Sequence, residues 1–167
     1  IVNDPFAGGT HLNDITVVAP CWHRGALVGG VANRAHHADV GGIAPGSMPP
    51  GRRTIAEEAV LLDNVLLLDE GRLCEAELRA LLSSGEYPSR NVDQNMADLA
   101  AQLAACARGA KGLSAACAEH GTQVVKPYMG HVHANAEEAV RRLVARLSDG
   151  SFRLEMDNGA VIAVAVG

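Results

Sequence analysis

Two clusters of imidazoles and carboxylates carry the chemistry that this chain advertises: Gly8-Gly9-Thr10-His11-Leu12-Asn13-Asp14 and Asn33-Arg34-Ala35-His36-His37-Ala38-Asp39. Two imidazoles and a carboxylate form a borderline donor set suited to Zn, Mn or Fe. The residues between the clusters read as two short strands, Ile15 to Ala19 and Leu27 to Ala32, with Cys21-Trp22-His23-Arg24-Gly25 forming the turn. A turn centred between His23 and Arg24 sets His11 opposite His36, with Asp14 one short step along the same strand. Directly paired residues of an antiparallel ladder are close enough to share a ligand. The expected site is therefore one divalent metal held by His11, Asp14 and His36. Its plain alternative is that the imidazoles bond loop backbone and Asp14 caps a turn. A one-residue slip would send the clusters to opposite faces, so register decides between them.

Around this trio lie residues with two readings each. His37 and Asp39 are either surface loop or a carboxylate–imidazole pair that orients a ligand. The glycines of Gly8-Gly9 and of Gly41-Gly42 are ordinary turns, or else an amide-lined wall that a small anion can approach. No Gly-Lys-Ser/Thr follows either pair, so neither is a P-loop. Glu57 and Glu58 suit the solvated first turn of a short helix, and either could serve as a general base near a polarised amide. Arg90 braces a helix start or clamps a substrate carboxylate with its guanidinium fork. Asp93, Asp98 and His120 have sufficient reason in the helix dipole. His131 and His133 cannot share one helical face and are not a ligand pair.

The elements that must position these groups follow from periodicity. Residues 1–53 supply the hairpin, its polar ends and a Gly/Pro-rich loop, Gly41 to Arg53, long enough to be functional. Residues 54–90 are mixed: a short segment after Thr54, a buried strand or two from Val60 to Leu68, and a helix from Glu75 to Leu82 ending at Gly85. Residues 91–147 read as an antiparallel helical hairpin. Asn91 caps its first helix, whose apolar face is Met96, Leu99, Leu103, Cys106, Ala110, Leu113 and Cys117, and Gly121 ends it. Thr122 opens the second helix, with Val125, Tyr128, Met129, Val132, Ala136, Val140, Leu143, Val144 and Leu147 as its stripe and Pro127 near its start. Residues 148–167 form a terminal hairpin, Phe152–Glu155 with Ala160–Val166, turned by Asp157-Asn158-Gly159. The fold class is α+β: antiparallel β-hairpins with a long antiparallel helical hairpin. The final alternating run belongs to a sheet completed by further sequence, so residues 1–167 are expected to be one part of a larger fold.

Composition sets the outer limits. The chain has 167 residues, 48% of them hydrophobic, and a formal net charge of −5. That charge disfavours a nucleic-acid surface, which needs clustered Lys and Arg. No apolar run approaches the length of a membrane span. Cys21, Cys74, Cys106 and Cys117 lack CxxC spacing and suit reduced thiols in a cytoplasmic protein.

Three stretches together carry a resemblance: Asn3-Asp4-Pro5 with Gly8 to Asp14; Arg34 to Pro50; and Tyr87-Pro88-Ser89-Arg90-Asn91-Val92-Asp93-Gln94-Asn95-Met96-Ala97-Asp98-Leu99. With them the chain resembles the hydantoinase B and 5-oxoprolinase family from Asn3 to about Leu147, and Tyr128 to Glu137 is similar to the 5-oxoprolinases within it. The resemblance implies an ATP-dependent cyclic-amide hydrolase that opens 5-oxo-L-proline to L-glutamate. Relatives acting on hydantoins or ketones leave an N-methylhydantoinase or acetone-carboxylase-like subunit open. So does a non-catalytic, metal-stabilised scaffold that packs on a partner subunit. In the related acetone carboxylases a His-x-x-Asp and a later His hold a metal, which matches His11, Asp14 and His36. The resemblance also implies a hydantoinase A-type nucleotide-binding half, fused or separate, that binds ATP and Mg and phosphorylates the substrate. An oligomeric assembly is expected. Within such an enzyme Asp39, His37 and Glu58 are the candidates for proton handling, and Arg90, Gly41 and Gly42 for substrate binding.

Overall fold

The computed structural model describes residues 1–48 and 50–167; Pro49 of the Gly/Pro loop lies outside the described residues. Two compact units result, Ile1–Gly121 and Thr122–Gly167, and their boundary is the Gly-Thr link.

The first unit is built on a hairpin of β1 (Asp14–His23) and β2 (Ala26–His36). Both strands run longer than periodicity alone suggests, and the turn shrinks to Arg24-Gly25. Both turn residues take left-handed φ values, 49° and 79°, as a two-residue type I′ loop requires. Alternation then sorts the side chains. Ile15, Val17 and Cys21 of β1 and Val28 of β2 are buried. Helix α3 (Val92–His120) covers that face with Met96, Leu99, Cys106 and Cys117. Asp14, Thr16, Arg34 and His36 stand on the other face, where Arg34 Nε donates to Thr16 Oγ1 at 2.9 Å.

The register corrects the sequence expectation. Asp14, not His11, pairs with His36. The turn is centred between Arg24 and Gly25 rather than between His23 and Arg24, and a bulge between Cys21 and Trp22 adds a further step. Such a bulge inserts one unpaired residue and is invisible to simple alternation.

Between hairpin and α3 the chain forms α1 (Ile55–Glu58), the two-residue strands β3 (Leu68–Asp69) and β4 (Arg72–Leu73), and α2 (Glu75–Leu82). The buried strand expected over Val60–Leu68 is absent apart from Leu68. Leu62 and Leu67 are buried without a ladder; Asn3 and Ile1 take the backbone bonds instead. Asn3 Nδ2 donates to Leu12 O and Val60 O, and its Oδ1 accepts from Leu62 N at 2.7 Å. Thr54 stands at the N-cap of α1 without a side-chain cap bond. Asn91 does cap α3, accepting from Gln94 N at 3.1 Å, and Gly121 closes it at φ 83°.

The second unit holds α4 (Thr122–Val144) and the hairpin β5 (Gly150–Glu155) with β6 (Val161–Val166). Helix α4 ends three residues before the expected Leu147, and Pro127 lies inside it. Met156 N donates to Ala160 O at 2.8 Å and Gly159 takes φ 80°, a three-residue loop of a type I turn followed by a left-handed glycine. No described residue of α4, β5 or β6 is buried. One helix and two six-residue strands enclose too little volume for a core of their own. Among the described residues, no helix is long and apolar enough to cross a membrane.

Candidate metal centre

At the open end of the first hairpin three donor groups converge. Asp14 opens β1 and His36 closes β2, so the ladder itself sets them side by side, and His36 Nδ1 lies 2.8 Å from Asp14 Oδ1. His11 arrives from the turn before β1, in which Asp14 N donates to His11 O at 2.9 Å. Three residues upstream of Asp14, it brings its Nε2 to 3.0 Å from the same oxygen. The two imidazole centroids are 4.9 Å apart. One ligand atom from each residue lies within 4.8 Å of the others. This is the arrangement a divalent ion needs: a carboxylate oxygen and two imidazole nitrogens around one point.

Each group is also held from behind. Thr10 Oγ1 donates to Asp14 Oδ2 at 2.6 Å, leaving Oδ1 for the imidazoles. Partial burial alone would push the Asp14 carboxyl up. The Thr10 and His36 hydrogen bonds, with the nearby His11 and His36 charges, outweigh it and hold the pKa below the usual carboxylate value. His11 Nδ1 contacts Ser47 Oγ, so the ring is fixed at both nitrogens. Asn13 closes the corner: its main-chain O accepts from His37 N at 2.8 Å and its Nδ2 donates to His37 O at 2.7 Å. Those two bonds fix the backbone just past His36. His36 itself is half exposed and His11 mostly covered, so the trio is open on one side, as a site that admits substrate must be.

The other six residues named from sequence have their contacts elsewhere. His37 follows His36 by one position and turns to the opposite face, where it is fully buried. Its Nε2 lies 3.0 Å from Gln102 Oε1 and its Nδ1 3.2 Å from Asn95 Nδ2, both on α3. Asp39 Oδ1 accepts from Gly41 N at 3.1 Å and Arg90 Nη1 at 3.0 Å, and its Oδ2 from Arg90 N at 2.9 Å. Arg90 Nη2 donates to Gly42 O at 2.6 Å. The amides of the glycine pair are equally engaged: Gly41 N donates to Asp39 and Gly42 N to Tyr87 O at 2.8 Å. Gly42 has φ 93°, and a Cβ there would sit 2.1 Å from Glu58 O. This pair is therefore a tight joint between the loop, α1 and the Tyr87–Arg90 segment. Glu58 borders a shallow cleft beside Pro5, Phe6, Arg52 and Arg53.

Sequence reasoning passed over Thr10, Asn13, Ser47, Asn95 and Gln102. Thr10 had a local signal in its spacing from Asp14. Gln102 and Asn95 lie on the face of α3 that also buries Met96 and Leu99, polar residues where the apolar stripe should run. Gln102 Nε2 donates to Ile15 O at 2.8 Å and Asn33 Oδ1 at 2.9 Å, so polar groups inside the joint of hairpin and helix are satisfied. All four cysteines are free thiols.

The hydantoinase B/oxoprolinase family profile matches residues 1–167. A 5-oxoprolinase of Dictyostelium discoideum is 41% identical over 146 residues, which cover 87% of this chain and 11% of that protein. 5-Oxoprolinase 1 of Arabidopsis thaliana is 40% identical over 157 residues, covering 89% and 12%. The crystal structure of the ATP-dependent caprolactamase from Pseudomonas jessenii shares the fold, with a TM-score of 0.76 at 23% identity, over 99% of this chain and 30% of that one. The chain thus spans only a small fraction of the length of these relatives, yet it matches the family throughout its own length, and it belongs to the hydantoinase B/oxoprolinase family.

Proposed function

We propose that this chain contributes the metal-binding part of an ATP-dependent cyclic-amide hydrolase, with 5-oxo-L-proline as substrate and L-glutamate as product. The observation that carries the proposal is the convergence of His11, Asp14 and His36 on one point in a chain related at 41% identity to a 5-oxoprolinase. The donor set fits Mn, Zn or Fe, and both His11 and Asp14 have outer hydrogen-bond partners of the kind that orient metal ligands. When bound, the ion supplies Lewis-acid polarisation of a carbonyl oxygen.

Opening the lactam requires water to supply oxygen to the carbonyl carbon while the C–N bond breaks and the nitrogen leaves with its electron pair and takes a proton. Amide resonance makes the carbonyl a poor electrophile, which is the reason for coupling to ATP. In this reading a hydantoinase A-type half binds ATP and Mg and transfers the terminal phosphoryl group to the lactam oxygen, releasing ADP. Water then adds at the activated carbon, the C–N bond breaks, and a second water releases the phosphoryl group as inorganic phosphate. The present chain orients the carbonyl beside the trio on the outer face of the hairpin. Asp39 and Arg90 brace the Gly41-Gly42 joint and shape the wall behind the loop. Glu58, beside the cleft, remains the candidate for proton handling, because the Asp39 carboxylate already accepts three hydrogen bonds.

Two measurements test this. Elemental analysis of the purified chain should give about one transition-metal ion per chain. His36→Ala should remove it; equal content in both would dismiss the site. The chain alone should show no 5-oxoproline-dependent ATP hydrolysis, which should appear only in an assembly that holds the nucleotide-binding half and the rest of this half. Turnover unaffected by His11→Ala in that assembly would refute the proposed role.

A further inference from the structure

The Gly/Pro loop is fastened at both of its ends and reaches the metal trio between them. At its start, Gly42 N donates to Tyr87 O and Ile43 N to Glu57 O at 2.9 Å. At its end, Arg52 Nε donates to Glu57 O at 2.7 Å and its Nη2 to Ala44 O at 3.1 Å, drawing the two limbs together. Between Ala44 and Arg52, the hydrogen bond that ties the described residues to the rest of the unit is the one between Ser47 Oγ and His11 Nδ1. Ser47 is partly buried, whereas its neighbour Met48 is 68% exposed. The loop crest is therefore joined to the molecule through a ring whose other nitrogen faces Asp14.

The chemistry of imidazole gives that contact a direction. Neutral imidazole carries one proton, and a nitrogen that binds a metal must present its lone pair. When Nε2 serves the metal, the proton resides on Nδ1, and Nδ1 must donate to an acceptor. Ser47 Oγ is that acceptor; a hydroxyl can accept there while turning its own proton outward. An outer partner of this kind holds the ring orientation, and losing one typically weakens metal binding 10–100-fold.

We infer that Ser47 is a positioning residue for the metal centre, holding the His11 ring with Nε2 toward Asp14 and able to accept from Nδ1 when Nε2 binds a metal, and thereby coupling the seating of the 43–48 loop segment to metal occupancy. This inference rests on the metal reading above. It adds a reciprocal effect: if loop seating strengthens metal binding, metal binding strengthens loop seating by the same factor.

The test titrates the purified chain with Zn(II) and, separately, Co(II), following heat of binding and the Co(II) visible absorption band. Ser47→Ala should bind about ten-fold or more weakly than wild type, with an altered Co(II) band. Ser47→Thr, which keeps the hydroxyl, should restore both. In hydrogen exchange, the amides of Ile43, Ala44, Gly46, Ser47 and Met48 should gain protection on metal addition in wild type and in Ser47→Thr, and gain little in Ser47→Ala at saturating metal. Far-UV circular dichroism identifies a variant that has failed to fold, and Ser47→Cys and Ser47→Gly then give independent readings at the same position. Wild-type affinity in Ser47→Ala, or loop protection insensitive to metal, would overturn the inference while leaving the trio intact. Failure of wild type to bind either ion would instead refute the metal centre itself.

Discussion

The chain contains two antiparallel hairpins written in similar terms, and they end in opposite conditions. Both have alternating apolar residues and a turn that uses a left-handed glycine, Gly25 in one and Gly159 in the other. In β1–β2 the alternation is converted into burial: Ile15 is fully inaccessible and Val17 nearly so, under a helix that supplies Met96, Leu99 and Cys106. In β5–β6 every residue is exposed, including Phe152, Leu154, Ile162 and Val164. The lesson concerns precision. A hairpin clamped on one face by a packed helix has a fixed register, and a fixed register can hold ligands on its other face to a few tenths of an ångström. The convergence of His11, Asp14 and His36 is accordingly found at the end of the clamped hairpin.

The sharpest test of the comparison is in the clamp. Leu99 is 1% exposed at the centre of the cluster beneath β1. Leu99→Ala removes most of a buried side chain and leaves a cavity, and should cost about 2–5 kcal/mol in urea or heat denaturation. Such a loss is a large part of the stability of a domain this size. A cost below about 1 kcal/mol would mean that the hairpin does not depend on α3.

Next in size is the site that the clamp holds in place. Asp14→Asn keeps shape and removes the charge shared by both imidazoles, so Zn(II) affinity should fall by more than the roughly 10–100-fold that loss of an outer partner costs. The fold should be nearly unaffected, since Asp14 lies on the face away from the core. Calorimetric titration with parallel thermal melts separates the two effects. A large fall in melting temperature with unchanged affinity would reverse the assignment and make Asp14 a structural residue.

What the sequence disclosed divides along the same line. The identities of His11, Asp14 and His36, the cap at Asn91, the stop at Gly121 and the terminal hairpin's turn at Asn158-Gly159 were all legible, because each is a local signal of residue type and spacing. The pairing itself was not. A bulge at Cys21/Trp22 and a turn one position further along moved His36 from His11 to Asp14, and neither has a strong one-dimensional signature. His11 still reached the site because a tight turn delivers it to Asp14, an i,i+3 contact that needs no ladder. The Val60–Leu68 run failed as a strand because its backbone partners are scattered, with Val40 at Val60, Asn3 through main chain and side chain at Val60 and Leu62, Ile1 at Val65 and Cys74 at Leu67, contacts that periodicity cannot express. His37 shows the cost of reading clusters as units: adjacent residues of an extended chain face opposite ways, so His36 joins His11 and Asp14 while His37 is sealed under α3.

A smaller effect is expected where the loop meets the body. The sequence offers Arg90 as a carboxylate clamp, and in the fold its guanidinium donates to Asp39 and to Gly42 O. Arg90→Ala removes a charge-assisted pair whose arginine is nearly half exposed, so solvent screening limits the loss to about 1 kcal/mol. In an assembled enzyme the variant should impair 5-oxoproline and an uncharged lactam to the same degree. A rise in KM confined to the charged substrate would show that Arg90 leaves Asp39 to meet it.

The smallest effect should come from the open hairpin, and it bears most directly on what the comparison means. Phe152 is 63% exposed and pairs across the ladder with Val164, itself 50% exposed. Truncating an aromatic in a cross-strand pair forfeits a few tenths of a kcal/mol and little burial, so Phe152→Ala should change the stability of this chain by less than about 0.5 kcal/mol. The contrast with Leu99→Ala is then roughly four-fold or more for side chains of comparable size, with burial alone making the difference. If Phe152→Ala proved as costly as Leu99→Ala, residues 150–166 would have a buried environment in solution. Their alternation would then be satisfied by this chain or a copy of it, and the two hairpins would differ in partner rather than in degree of enclosure.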